Sequence, residues 1–259
     1  MKRISLLILI VGVGWWLVKS SDNNDFRVGM VNDRGLVMQS ISWERRMVNY
    51  LEIGEETPVW IPGGMGWYQS NKIKKILEQE KKPTLVDEVF FYNFGFVPDL
   101  IVYGDEVKSR ELMAKWGIGN YLKYQLNKAN LMVKREVAGD NLGEVVQRDL
   151  ADSRLLRDEL RLTIYNLSQE NGMGRFMARV LEWAGLTVVG VETSQQKIEG
   201  DCQISFGSGT VGYASELLKS KFAKCRFQNN DSLGGGEAEL YFGEGFSKML
   251  NYDTYVRTF

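Results

Sequence analysis

The chain has 259 residues, 44% hydrophobic and 25% charged, with 32 Lys plus Arg against 33 Asp plus Glu and no histidine. The even charge balance gives no electrostatic pull toward nucleic acid, and Lys81-Lys82 is no more than a short basic step. Without imidazole, Ser-His-Asp and Cys-His nucleophiles, His-ligated zinc and histidine proton relays are all excluded, so catalysis would have to rest on carboxylates, Lys, Arg, Tyr or backbone dipoles.

Met1 to Ser21, MKRISLLILIVGVGWWLVKSS, starts basic and then runs apolar for fifteen residues, Ile4 to Val18. As a helix this run spans about 22 Å at about 1.5 Å per residue, short of the roughly 30 Å hydrocarbon core. Lys2, Arg3 and Lys19 can snorkel across the difference, and Trp15 and Trp16 suit the interfacial belt. A cleaved signal peptide is the rival reading. The bulky Trp pair and the lack of an A-x-A site favour an uncleaved transmembrane signal-anchor over residues 1–21, with the bulk of the chain outside the cytoplasm.

An Asn/Asp/Ser spacer leads to RGLVMQSISWERRMVNYLEI, whose alternation predicts two strands around a turn at Trp43 to Arg46. TPVWIP is a further strand before the glycine-rich GGMGWY. NKIKKILEQEKK and PTLVDEVFFYNFG carry apolar spacings of three and four, hence two helices, the second starting at Pro83. PDLIVYG reads as a strand, and VKSRELMAKWG and Asn120 to Val133 as helices. Val137 to Leu160 is polar and weakly patterned, which makes it the expected linker between a first α/β domain over 22–136 and a second over 161–259.

The second half alternates regularly: strand RLTIYNL, helix GMGRFMARVLEWAG, strand LTVVGVE, strand CQISF, helix TVGYASELLKSKF, strand CRF and strand EAELYFG. That order predicts a small α/β sandwich with right-handed crossovers, Leu162 to Asn166 and Leu186 to Val191 being apolar enough for central strands. Cys202 and Cys225 each open a strand at the same edge, so in an exported chain they are expected to pair, closing a loop worth about 3 kcal/mol in the chain-entropy model. Two independent buried cysteines are the alternative.

The string NLSQENGMGRFMARVLEWAGLTVVGVE resembles the C-terminal domain of LytR-CpsA-Psr cell-envelope proteins, with Asn166 ending a strand, Gly172 and Gly174 turning into a helix and Gly185 preceding the next strand. The likeness runs over about 160–246. Upstream, LVMQSISWERRMVNYLEIGEETPVWIPGG resembles the opening of that family's catalytic domain, whose active members use an Arg and an Asp to handle the pyrophosphate of a polyprenyl-linked glycan, aided by a divalent metal. Here the corresponding string is Ile53-Gly54-Glu55-Glu56-Thr57. A guanidinium grips phosphate through a bidentate fork, whereas Glu55 sets negative charge against it, so the first half reads as a degenerate, inactive relative.

Each remaining motif carries a plain reading beside the functional one. Gly63, Gly64, Trp67 and Tyr68 form either a glycan platform or a turn with aromatic packing. Asn166, Gly172 and Gly174 form either an anion site at a helix start or a tight strand-to-helix joint, and Glu170 beside them favours the joint. Glu55 and Glu56 invite an acid/base or metal role, but adjacent carboxylates more often sit in a solvated turn, and that reading is favoured here. Phe90, Phe91, Tyr92, Phe94 and Phe96 are denser than an amphipathic helix requires and are expected in the core.

The expectation is therefore an α/β chain: a transmembrane anchor, a degenerate α/β domain and a small C-terminal α/β sandwich. It implies a bacterial extracytoplasmic protein without cofactor or metal, binding peptidoglycan, lipid-linked glycan or envelope proteins, with glycopolymer phosphotransfer onto peptidoglycan as the enzymatic alternative.

Overall fold

Two five-stranded sheets share one sandwiched helix in the computed structural model, which describes residues 25–137, 142–168 and 170–250. The expected anchor, Met1 to Ser21, lies outside the described residues, among which no helix is long and apolar enough to cross a membrane. The chain is mixed α/β, as its alternation implied.

The first sheet is built on β1 (Phe26–Asn32), which pairs antiparallel with β2 (Gly35–Ser42), itself antiparallel to β3 (Met47–Glu52). The turn between β2 and β3 falls at Trp43 to Arg46, as expected. β1 is buried along its whole length, so it lacks the polar/apolar alternation that marks a half-exposed strand. A small hairpin of β4 (Pro58–Ile61) and β5 (Gly66–Gln69) comes next. It leads to α1 (Ile73–Glu80) and α2 (Pro83–Phe94), and then to β6 (Leu100–Tyr103), parallel to β1 on one edge.

Beyond α3 (Ser109–Trp116) and α4 (Ile118–Asn127), the expected helix to Val133 stops early, and β7 (Met132–Val137) lies parallel to β3 on the other edge. Met132, Val133 and Val137 are exposed there, so the pattern that suggested a helix buries no apolar face.

The stretch expected as a linker is a structural joint from Leu142 onward. It holds α5 (Leu142–Val145), a π-turn and α6 (Ser153–Asp158). Val145, Val146 and Leu150 enter the core of the first half, and Leu155 and Leu160 that of the second. Its apolar residues serve two cores in succession, so no single periodicity marks them.

The second sheet runs β11-β10-β12-β8-β9, with β8 (Arg161–Asn166), β9 (Thr187–Thr193), β10 (Cys202–Gly207), β11 (Arg226–Asn230) and β12 (Glu237–Phe242). α7 (Met173–Ala184) connects the parallel pair β8 and β9, and α8 (Tyr213–Lys221) the parallel pair β10 and β11. α9 (Glu244–Leu250) follows β12. Leu162 to Asn166 is an inner strand, but Leu186 to Val191 belongs to the edge strand β9, whose outer residues are largely exposed, so its apolar content does not make it central. Cys202 and Cys225 are joined by a disulfide across adjacent parallel strands, with Cα atoms 4.7 Å apart.

α2 explains its own aromatic density. Phe90 and Phe94 pack into the core of the first half, while Phe91 and Tyr92 pack into that of the second, so the helix carries two apolar faces where an amphipathic helix carries one. Gly95 closes it at φ 61°, where an added Cβ would lie 2.5 Å from the Val180 carbonyl oxygen of α7.

A buried ion network fastens the same junction. Arg27 on β1 is fully buried; its Nη1 donates to Asp152 Oδ2 at 3.1 Å and its Nη2 to the Leu150 carbonyl at 2.9 Å. Its guanidinium carbon sits 4.4 Å from the centre of the Phe96 ring. Asp152, also fully buried, accepts from Arg154 Nη2 at 2.7 Å and Nε at 2.9 Å. Arg154 reaches Asp99 at 3.0 Å and lies over Tyr213 of α8, while the Asp152 backbone N–H donates to Ala184 at the end of α7. Burial pushes the Asp99 carboxyl above the usual range even though Arg154 and Arg27 oppose it. Burial also raises Asp152, but Arg27 and Arg154 outweigh it and hold that carboxyl below the usual range.

Two outcomes are expected. Asp152→Ala leaves Arg27 buried without its counter-charge and should cost about 3–5 kcal/mol in urea unfolding, whereas the pair Arg27→Met with Asp152→Leu should cost markedly less. A loss below about 1 kcal/mol for Asp152→Ala would contradict the role assigned to it. The two carboxylates should also titrate with opposite sign. Asp152, depressed, contributes stability complete above its unfolded value of about 3.9 and lost as pH falls through its folded value; Asp99, raised, contributes stability complete below about 3.9 and lost as pH rises through its folded value. Asp152→Asn should thus flatten the acid limb of the stability profile and Asp99→Asn the slope just above it; unchanged slopes in both variants would refute the assignment.

Candidate functional site

Glu55 and Glu56 occupy the exposed turn before β4, closed by the Thr57 N–H donating to the Gly54 carbonyl at 3.0 Å. Glu55 lines a cleft of about 200 Å³ with Asn32, Arg34, Gly35, Gly54 and Val137. Arg34 is its one arginine, 3.8 Å from Asp105, which also accepts from Asn32 Nδ2 at 2.8 Å. Glu56 is not part of the cleft wall, so the adjacent carboxylates do not converge on one reacting centre.

Gly63 and Gly64 turn the β4–β5 hairpin at φ 81° and 88°. Trp67 packs against the second core, while Tyr68, one step along the strand, is 39% exposed. Gly63 borders a hollow of about 350 Å³ together with Asp87, Glu88, Tyr92, Lys221 and Lys224, where burial raises both the Glu88 carboxyl and the Tyr92 phenol. The four residues do not form one aromatic platform.

Asn166, Gly172 and Gly174 do come together, as a joint. Asn166 Oδ1 accepts from the Ser168 N–H at 3.1 Å and hydroxyl at 2.7 Å, and its Nδ2 donates to the Glu170 carbonyl at 3.0 Å, so its polar atoms serve the turn. Gly172 caps α7 at φ 86°. A Cβ on Gly174 would meet Val191 Cγ1 at 2.7 Å, so this glycine lets α7 lie close on β9.

A further groove lies at the end of the first sheet where β1 begins. It measures about 980 Å³ and is lined by Trp43, Glu44 and Arg46 from the β2–β3 turn, Lys123 and Asn127 from α4, Asn130 and Leu131 leading into β7, and Arg157 from α6. An aromatic ladder supports it. Phe26 stacks on Trp116 at 4.8 Å, Trp116 on Trp43 at 5.7 Å, and Lys123 Nζ sits 4.9 Å over the exposed end of the stack. The buried rings fix the Trp43 indole, and the indole in turn holds the ammonium by a cation–π contact. Among the described wall residues Arg46, Lys123 and Arg157 accompany a single carboxylate, Glu44, with Asn130 and Asn127 beside them, the Asn127 Nδ2 donating to the Lys123 carbonyl at 2.8 Å.

Comparison with protein families, curated proteins and solved structures finds no match to this chain. Sequence reasoning placed Trp43 to Arg46 only as a turn and Arg157 in a linker, because the groove draws on four separated segments. The alternation bracketing the turn was the available signal, and it does not point to a shared wall.

Gly174→Ala should destabilise the chain by about 1–3 kcal/mol in urea unfolding without altering the groove. No measurable loss would show that α7 has room to lift from β9.

Proposed function

We propose that this chain is a membrane-anchored, extracytoplasmic bacterial envelope protein that works by binding and performs no catalysis, its targets being anionic cell-wall glycan or lipid-linked precursors. The groove under Trp43 carries the reading: a cleft of about 980 Å³ whose described wall sets Arg46, Lys123 and Arg157 beside Glu44 suits the capture of an anionic ligand. The Cys202–Cys225 disulfide supports an oxidising compartment. The apolar run Ile4 to Val18 and its basic start support the tether, which concentrates the receptor at the membrane surface.

The LytR-CpsA-Psr resemblance supports the same setting, and the glycopolymer-transfer alternative rests on Arg34 beside Glu55. That arginine shares Asp105 with Asn32, and its cleft has about a fifth of the groove's volume.

Full-length protein in intact spheroplasts should be degraded by added protease, and the detergent-solubilised chain should be retained on cell-wall material bearing anionic polymers and released by salt. Full protection from protease, or equal retention on walls stripped of those polymers, would count against the reading.

A further inference from the structure

The groove occupies one particular end of the molecule. Phe26, the first residue of β1, is the base of the ladder that carries Trp43, and it pairs with Ile41 two residues before that tryptophan. The groove therefore sits where the chain enters the first sheet. Between the apolar run ending at Val18 and Phe26 stand seven residues, Lys19 to Asp25, which can span at most about 25 Å. A groove tied this closely to the point of membrane exit is within reach of the headgroup layer.

Its chemistry matches that layer. Arg46, Lys123 and Arg157 present three cations against Glu44, and Lys123 is held over the Trp43 face. Trp116 stacks on the Trp43 indole at 5.7 Å and Lys123 Nζ lies 4.9 Å over the same ring, so what the indole contributes to the groove is the placing of a cation. A phosphodiester meets a guanidinium through its paired N–H groups and an ammonium as a point charge, and Asn127 and Asn130 can donate to glycerol hydroxyls.

We infer that the Trp43 groove docks the anionic phospholipid headgroups of the membrane to which the chain is tethered, holding the first sheet down on the bilayer with its β2–β3 turn inward. The inference rests on the anchored reading above and narrows the anionic target of this groove to the lipid headgroup, so that capture of wall polymer at the groove would count against it. Cationic side chains near an anionic surface each strengthen attachment several-fold, so three together strengthen it on the order of a hundredfold. Docking would give the tethered body a fixed orientation, with the second sheet held away from the lipid.

The full chain is placed in nanodiscs of phosphatidylcholine, and of phosphatidylcholine mixed with phosphatidylglycerol, and backbone hydrogen exchange is followed across Trp43 to Arg46 and Asn127 to Leu131. Exchange is expected to slow about tenfold in the mixed discs, and the difference should vanish with Arg46→Gln, Lys123→Gln and Arg157→Gln combined and survive Arg46→Lys with Arg157→Lys. Equal exchange in both discs overturns the proposal. So does protection by soluble glycerol phosphate in phosphatidylcholine discs at millimolar concentration, which would make the groove a receptor for free phosphate-bearing chains. If the protein fails to enter phosphatidylcholine discs, the anchor reading falls by itself. Salt-labile association with phosphatidylglycerol discs that the triple variant loses would then still support the groove, and no association would overturn it.

Discussion

A guanidinium with no access to water has to be neutralised where it stands, and Arg27 imposes that condition on the whole architecture. It lies in a strand whose every residue is buried, and its counter-charge, Asp152, comes from a segment 125 residues away. Removing two charges from water costs several kcal/mol each, which only close geometry and additional hydrogen bonds can offset. Those bonds come from Leu150 and Arg154, and the Asp152 backbone reaches Ala184. Satisfying one arginine thus fixes the joint, the first sheet and the end of α7 relative to one another. Such a network does more for a unique arrangement than for net stability, since apolar side chains of similar shape would pack there without the desolvation cost.

α2 is the apolar counterpart of that network. Its rings face two cores at once, and Gly95 at its end lets α7 approach as closely as a Cα permits. Burial of two opposed aromatic pairs leaves the helix with an apolar face uncovered on either half alone, so each half presents an apolar surface that the other covers. The second domain and the first are therefore halves of one packed body in which the ion network supplies register and α2 supplies buried area.

Much of this was legible where structure is local. The hairpin around Trp43 to Arg46, Pro83 at the start of α2, the helices of the second half and the pairing of Cys202 with Cys225 all follow from short-range pattern. What escaped was long-range. β1 hides because a strand buried on both faces shows no alternation, and Arg27 within it reads as a surface residue until Asp152 is seen beside it. The joint after Leu142 reads as a linker because its apolar residues serve two cores. The groove reads as nothing at all, since Trp43, Lys123 and Arg157 are eighty and thirty-four residues apart in turn and meet only through the fold. Asn166, Gly172 and Gly174 were found together but for packing, their polar atoms spent on the turn itself.

The same junction bears on function, because Arg157 of the groove wall lies on α6, the helix that follows Asp152. A groove assembled from both sides of the joint keeps its shape only while the halves stay locked. Native-state hydrogen exchange under increasing denaturant tests this directly. The slowest amides of β1 and β12 should open in a single event, with one free energy and one denaturant dependence. Two separate openings, with the second sheet persisting after the first has exchanged, would contradict the account.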